Sequence, residues 1–422
     1  AVAGDRIASV TPDSQRPADA IALHGLVIPG LVNAHSHAFH RALRGRTQVG
    51  EGTFWSWREQ MYAAAARLDP DSYLALARGV FAEMALAGIT TVGEFHYLHH
   101  APGGSRYNNA NAMSIALEQA ASEAGIRMTL LDTLYLQGGL DGRPLGEPQL
   151  RFGDSSVSDW LDRIGEMPDT QMLRVGAAVH SVRAVSVSQL GEVAGSIDGR
   201  PLHVHLSEQL AENADCVEAT GMTPTGLLES VGLLGPNTTA VHATHLVAQD
   251  LTALSSSAIG VCLCPTTERD LADGIGPARK LVEGGSPLSF GSDSHAVIDL
   301  FEEARSTELN ERLASGMRGG LAPELLLAAA TEGGAAALDW NAGAIRPGLL
   351  ADFVSVSLDS IRMAGIEPAT AAAHIVFGAT AADVSDVVAG GRRIVAEGEH
   401  QLIERPAYEL HTAIARLFQE DL

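Results

Sequence analysis

Lysine is almost absent from this chain: of its 28 basic residues only Lys280 is a lysine. Basic charge as a whole is short, and 51 acidic residues leave a formal net charge of −23. That balance argues against a nucleic-acid partner, because such binding rests on basic patches. It also repels anionic small molecules at long range, so an anionic ligand needs cations placed locally. Long apolar runs are missing too. None approaches the roughly 20 residues that a membrane-spanning helix requires. The first residues, AVAGDRIASV, lack the charged-then-apolar pattern of a signal peptide, so a cytoplasmic protein with no membrane partner is expected. Cysteine is scarce, at three residues. Cys262 and Cys264 share one side-chain phase in the apolar run GVCLCP, but nothing nearby completes a four-ligand metal site. With Cys216 they read as buried, inert thiols.

Apolar residues, by contrast, are plentiful: 46% are hydrophobic and 19% charged, enough for a sizeable core and too little charge for disorder. The length of 422 residues suits two or three average domains, or one large barrel with an appendage. Between residues 30 and 340 eight short β-like runs alternate with amphipathic stretches. The runs are Leu31–His35, Thr90–Phe95, Arg127–Asp132, Arg174–His180, Pro201–Leu206, Thr238–Ala243, Ile259–Cys264 and Leu288–Asp293. Strand–helix alternation predicts a parallel sheet, and eight repeats favour closure into a (β/α)8 TIM-type barrel over 30–343. The ends differ, with turn-rich segments and short Val/Ile runs such as FVSVS and DVVAGGRRIVAEG. They predict a small β-sandwich domain built from 1–29 and 344–398, followed by a helical tail over 399–422. The loop-rich stretch 98–111 is expected to cover the barrel mouth.

Functional groups of such a barrel collect at the C-terminal ends of its strands, and the unusual residues fall there. His35 and His37 close the first run in NAHSHAF, two apart and therefore on one face. His203, His205 and Glu208 close the fifth in LHVHLSEQ, His242 the sixth, and Asp293 the eighth in FGSDSH. Neutral imidazoles with a carboxylate suit a four- to five-coordinate zinc ion with a position left for water, and iron suits them as well.

This distribution of H-x-H, H-x-x-E, H and D over strands one, five, six and eight resembles the amidohydrolase superfamily. The resemblance implies His35, His37, His205 and Asp293 as metal ligands and leaves His203 as a supporting or core histidine. Binuclear members bridge two metals with a lysine, usually from the fourth strand. Lys280, after the seventh run, is the only lysine, so one metal per chain is expected. HSHAFHRAL, GTFWSWREQMY, GEFHYLHH, HSVRAV, HLSEQ, CPTTERDLADGI and GSDSHAVIDLFEE are similar, in order and spacing, to the formimidoylglutamate deiminases of histidine degradation. That likeness implies hydrolysis of a formimidoyl C–N bond, with Glu208 as proton shuttle and His242 and Asp293 handling the proton of water. It implies Arg58 and Arg183 as clamps for the two substrate carboxylates, Tyr97 and His180 as hydrogen-bond donors, and a homodimer. Where it implies glutamine, this chain has His40, which still donates and does so most strongly when protonated. Trp55 and Trp57 read as packing of the excursion that carries Arg58, and Arg269 as a salt-bridge former. Two other readings compete: a superfamily deaminase acting on a purine, pterin or triazine ring, whose site wants apolar and amide-reading groups, and a non-enzymatic barrel that only binds metal.

Overall fold

Eight of the apolar runs form eight parallel strands, and the chain ends form a small antiparallel domain beside them. Strands β1 (Val2–Ala3) and β2 (Arg6–Ile7) make a short hairpin, and β3 (Leu26–Pro29) follows. The barrel strands are β4 (Leu31–Ser36), β5 (Ile89–His96), β6 (Arg127–Leu134), β7 (Leu173–Val179), β8 (Leu202–Leu206), β9 (Thr238–His242), β10 (Gly260–Leu263) and β11 (Leu288–Phe290). The last four are β12 (Phe353–Val356), β13 (Val384–Ala389), β14 (Arg392–Ala396) and β15 (Glu399–His400). This computed structural model describes residues 1–15, 17, 18, 20–197 and 199–419. Positions 16 and 19 of the N-terminal segment, 198 of the predicted barrel and 420–422 of the predicted tail lie outside them.

The eight strands pair in sequence order from β4 to β11. A parallel bridge between Ser36 and Asp293 closes the circle, with Asp293 N–H donating to the His35 carbonyl at 3.0 Å. Closure needs Gly291: a Cβ there would sit 2.6 Å from the His35 Cβ, so only glycine lets the last strand reach the first. The second sheet has the antiparallel order β15-β14-β13-β12-β3. Gly30 alone separates β3 from β4, and a buried ion pair between Arg127 of β6 and Asp352 fastens the small sheet to the barrel. The tail forms a helix over Pro406–Phe418.

Helices follow the strands for local reasons. Helix α1 (Phe54–Ala65) starts at the Thr53–Ser56 capping box. Helix α2 (Pro70–Leu86) starts at Asp69, whose carboxylate accepts the Ser72 N–H at 2.8 Å, with Pro70 in the first turn. Its buried face carries Tyr73, Leu76, Val80, Phe81 and Met84, and the tail helix packs on it at Gly79, where a Cβ would lie 2.7 Å from the Leu410 Cβ. The loop 98–111 does not cover the mouth as expected. The His99 and His100 N–H groups both donate to the Arg151 carbonyl at 3.0 Å, which ties the loop to the 147–151 turn, and α1 lines the cavity instead.

His203 is a core residue. Its ring is fully buried and donates from Nε2 to the Ala337 carbonyl at 2.9 Å. Burial pushes its pKa down from 6.5 to about 4, against the pull of that bond. Because the folded value lies below the unfolded one, the unfolded chain takes up a proton between these limits that the folded protein refuses. Stability therefore falls as pH drops through that window. Measured against a His203→Asn variant by urea denaturation, the native protein should lose up to about 3 kcal/mol between pH 6.5 and 4. Parallel pH profiles for the two would contradict this.

Candidate active site

The strand ends place His35, His37, His205 and Asp293 together, with one ligand-type atom from each within a 4.8 Å group and all four buried. His35 Nε2 and His37 Nε2 each lie 3.3 Å from Asp293 Oδ1, and His205 Nε2 lies 3.2 Å from His35 Nε2. Bonds of about 2.0–2.1 Å around a tetrahedral zinc separate the ligand atoms by about 3.3 Å, which is the spacing found. Two rings are turned for this. His37 donates from Nδ1 to the Phe95 carbonyl and His205 from Nδ1 to the His180 carbonyl, both at 2.8 Å. That fixes the tautomer and leaves the Nε2 lone pairs facing the group. Burial holds His35 down to about 3 and His205 well below the usual imidazole range, so both are neutral donors. Burial pushes Asp293 upward, but His35 and His37 beside it outweigh that and hold the carboxyl well below its ordinary value. Three imidazole nitrogens and one carboxylate fit a divalent ion of borderline hardness.

A second set of groups faces the same point. His242 Nε2 is 3.8 Å from Glu208 Oε1 and 3.9 Å from Asp293 Oδ2. Burial raises the Glu208 pKa, opposed by His242 and Arg183. Burial lowers that of His242, but Glu208, Glu268 and Asp293 outweigh it and favour the charged ring. The backbone pays for these positions: His242, Ala243, Asp293 and His295 all carry positive φ, at 70°, 51°, 42° and 57°. Non-glycine residues hold such angles only where the surroundings enforce them, typically at functional sites.

The cavity beside this group brings together the substrate-binding residues implied by resemblance. His40, Arg58, Tyr97, His180 and Arg183 line it along with His37, His205, Glu208, His242 and Asp293. Arg58 lies over the Trp55 ring at 4.4 Å. Trp55 itself is exposed, so only Trp57 has the packing role expected for the pair, with its ring 5.0 Å from that of His40. Arg183 is not free: its Nε donates to Glu212 Oε1 at 3.3 Å, and Glu212 is buried. Burial opposes its charge, but Glu212, Tyr135 and Glu208 keep it cationic. His40 differs from expectation in one respect. Its ring is buried, with Nε2 2.8 Å from the Tyr97 hydroxyl, and burial and then His37 hold its pKa well below 6.5. It acts as a neutral ring, not a protonated donor. Arg269 stays outside, paired with Glu302 at 3.3 Å.

Several residues here were not foreseen. Glu268 is buried, accepts the Cys264 N–H at 2.9 Å and places Oε1 3.5 Å from His242 Nδ1. Ser36 donates to Glu94 at 2.5 Å and accepts from His295 Nε2 at 3.1 Å, while His295 Nδ1 accepts from Ser292 at 2.9 Å. Glu94, buried and raised to about 7 by that burial, also accepts the Ala38 N–H at 2.7 Å. This network braces the β4 end against the loop that carries Asp293. A carboxylate inside the apolar run TTVGEFH was its one visible sign. Cys264, read as inert, places its sulfur beside His242 and Asp293.

Comparison with known proteins gives this geometry a context. Residues 26–394 match the model of the amidohydrolase family. The chain is 35% identical over 414 residues to the formimidoylglutamate deiminase of Pseudomonas aeruginosa, covering 95% of this chain and 91% of that one. It is 31% identical over 391 residues to the 8-oxoguanine deaminase of the same organism, covering 88% and 83%. Among solved structures, an amidohydrolase from Brucella melitensis superposes with a TM-score of 0.91 at 30% identity, covering 99% and 95%. The atrazine chlorohydrolase of Arthrobacter aurescens complexed with zinc shares the fold, with a TM-score of 0.86 at 23% identity over 98% and 94%. Among the described residues no helix is long and apolar enough to cross a membrane. A barrel closed at Gly291, buried histidines and a carboxylate gathered at its strand ends, and relatives matched over nearly the whole length lead to one assignment: the chain belongs to the amidohydrolase family and is a hydrolase acting on C–N bonds.

Proposed function

We propose that this enzyme hydrolyses N-formimidoyl-L-glutamate to N-formyl-L-glutamate and ammonia, in histidine degradation, with one zinc ion per chain. The observation that carries the reading is the pair of arginines, Arg58 and Arg183, in the same cavity as the His/Asp group. In a chain of net charge −23, two forked cations at one mouth suit a substrate with two carboxylates. A purine or triazine would offer those cations no carboxylate. The ring reading has its own support in the aromatic wall of Phe54, Trp57, Tyr62, Tyr135 and Phe152, and remains the alternative.

His35, His37, His205 and Asp293 would hold the ion, which supplies Lewis acidity and brings the pKa of a water to about 7. Asp293 Oδ2 takes the proton that the attacking water loses as its oxygen bonds to the formimidoyl carbon and the C=N bond opens to a single bond. The charged His242 ring, with Nε2 3.9 Å from Asp293 Oδ2, orients that water. Glu208 delivers a proton to the departing nitrogen, the C–N bond breaks, and ammonia leaves with the carbonyl of the formyl product behind it. Glu268, against Nδ1 of His242, orients that ring. His180 and Tyr97 steady the substrate through hydrogen bonds, and the arginines hold its two ends. Proton NMR tests the reaction directly: the formimidoyl C–H signal should convert to a formyl signal with one ammonia per turnover, and should cease to convert after chelation.

One divalent ion per chain is expected in active protein by elemental analysis. Lys280, the only lysine, is exposed on the helix Ala278–Glu283 and cannot serve as a bridge inside the barrel. Two ions per chain at full activity would contradict this.

A further inference from the structure

Cys264 follows β10 directly and is completely buried, in a small cluster with Ala34, Val241 and Cys262. Its sulfur, one His242 ring nitrogen and one Asp293 carboxylate oxygen lie within 4.8 Å of one another. His242 and Cys264 stand at the ends of the neighbouring strands β9 and β10, and Asp293, on the loop after β11, is held by its N–H donating to the His35 carbonyl at 3.0 Å. Glu268 Oε1, 3.5 Å from His242 Nδ1, touches the same ring but is not one of the three donors. A thiol, an imidazole and a carboxylate oxygen form a donor set suited to zinc and to the softer divalent ions. The two oxygens of Asp293 are divided between the groups: Oδ1 faces His35 and His37 at 3.3 Å, and Oδ2 faces His242 Nε2 at 3.9 Å. One carboxylate can therefore serve two ions side by side.

We propose that Cys264, His242 and Asp293 form a second, inhibitory site for a thiophilic divalent cation, distinct from the four-ligand group. On binding, the Cys264 thiol and the charged His242 ring each release a proton to solvent, and the thiolate sulfur, the imidazole nitrogen and the carboxylate oxygen each donate a lone pair. No electron is transferred. Inhibition follows because the ion occupies the Asp293 oxygen that accepts the water proton and the His242 nitrogen that orients the water; this part rests on the roles proposed above, whereas binding does not. The site gives a hydrolase that needs one metal an intrinsic ceiling on the metal level at which it works.

Cadmium is the probe. Protein carrying one zinc per chain is titrated with cadmium chloride while ultraviolet absorption, zinc content and formimidoylglutamate turnover are followed. A thiolate-to-cadmium charge-transfer band should grow to one equivalent, turnover should fall in step, and zinc should stay at one per chain. Cys264→Ser should keep the one-zinc activity, lack the band, and require at least about 10–100-fold more cadmium for half inhibition, the span lost when a metal site is weakened. Cys262→Ser should behave as the native protein. X-ray absorption at the cadmium edge of native protein needs no variant and should report one sulfur neighbour. An unchanged band in Cys264→Ser, a cadmium edge without sulfur, or zinc leaving as cadmium enters would overturn the site. A band and a sulfur neighbour with turnover persisting at one bound cadmium would keep the site but overturn its inhibitory effect, and with it the roles of His242 and Asp293 proposed above.

Discussion

Glu208→Gln and His242→Asn should each lower kcat by about 10²–10⁴-fold, the span usual for a positioned acid or base, and both should keep their metal. The reason lies in the separation of tasks at the strand ends. Neither Glu208 nor His242 belongs to the His35, His37, His205 and Asp293 group, so neither change removes a donor from it. Glutamine preserves the shape and hydrogen-bonding reach of Glu208 but cannot carry a proton to the leaving nitrogen. Burial raises the Glu208 pKa, which keeps a protonated fraction available at higher pH than an exposed glutamate would, as a proton donor to ammonia requires. Asparagine at 242 keeps polarity but has no basic nitrogen to face Asp293. Steady-state kinetics with metal analysis of the same samples checks both. Rates within a few-fold of the native enzyme would show that other groups move the protons.

Arg183→Met and Arg58→Met carry the second large effect. Losing one buried, charge-assisted contact to a carboxylate costs about 2–5 kcal/mol, or about 30- to several-thousand-fold in kcat/KM. Arg183 should lie toward the upper part of this range. Its partner Glu212 is buried, so the arginine is held in place before substrate arrives and loses little freedom on binding. Arg58, half-buried over Trp55 on α1, sits on a less enclosed element and should lie lower. Metal content should not change in either variant. Formimidoylglycine, which lacks the side-chain carboxylate, should be a poor substrate of the native enzyme. It should also suffer less from loss of whichever arginine holds the missing group. Equal losses on both substrates for both variants would assign the arginines to the fold.

The barrel was legible because its strands are apolar runs of the right length between amphipathic stretches, and that periodicity survives in one dimension. The metal group was legible in part for a similar reason: the two-residue repeat of a strand puts His35 and His37 on one face. What failed were relations between segments. Polar, glycine-rich composition identifies 98–111 as a loop but cannot say that two N–H groups bind the Arg151 carbonyl and draw it from the mouth. Nothing in CPTTERD marks Glu268, which becomes a partner of His242 only because the short helix Pro265–Asp270 follows the β10 end and its carboxylate accepts the Cys264 N–H. Glu212 follows the same pattern, as a residue of a surface helix turned inward by an arginine. The phase of Cys264 was read correctly, whereas its neighbours come from β9 and from the loop after β11. His40 shows that chemical type is not protonation state: burial decided that, and burial is a property of the packed protein.

The most direct test of the account compares ammonia release from formimidoylglutamate with that from 8-oxoguanine, guanine, cytosine, S-adenosylhomocysteine and an aminotriazine, using one preparation of known metal content. Formimidoylglutamate should exceed every ring substrate by at least about 10²-fold in kcat/KM, as expected of a site built to bond groups that the wrong ligand lacks. Faster turnover of any ring would contradict the assignment and give the aromatic wall, not the arginines, the decisive part in recognition.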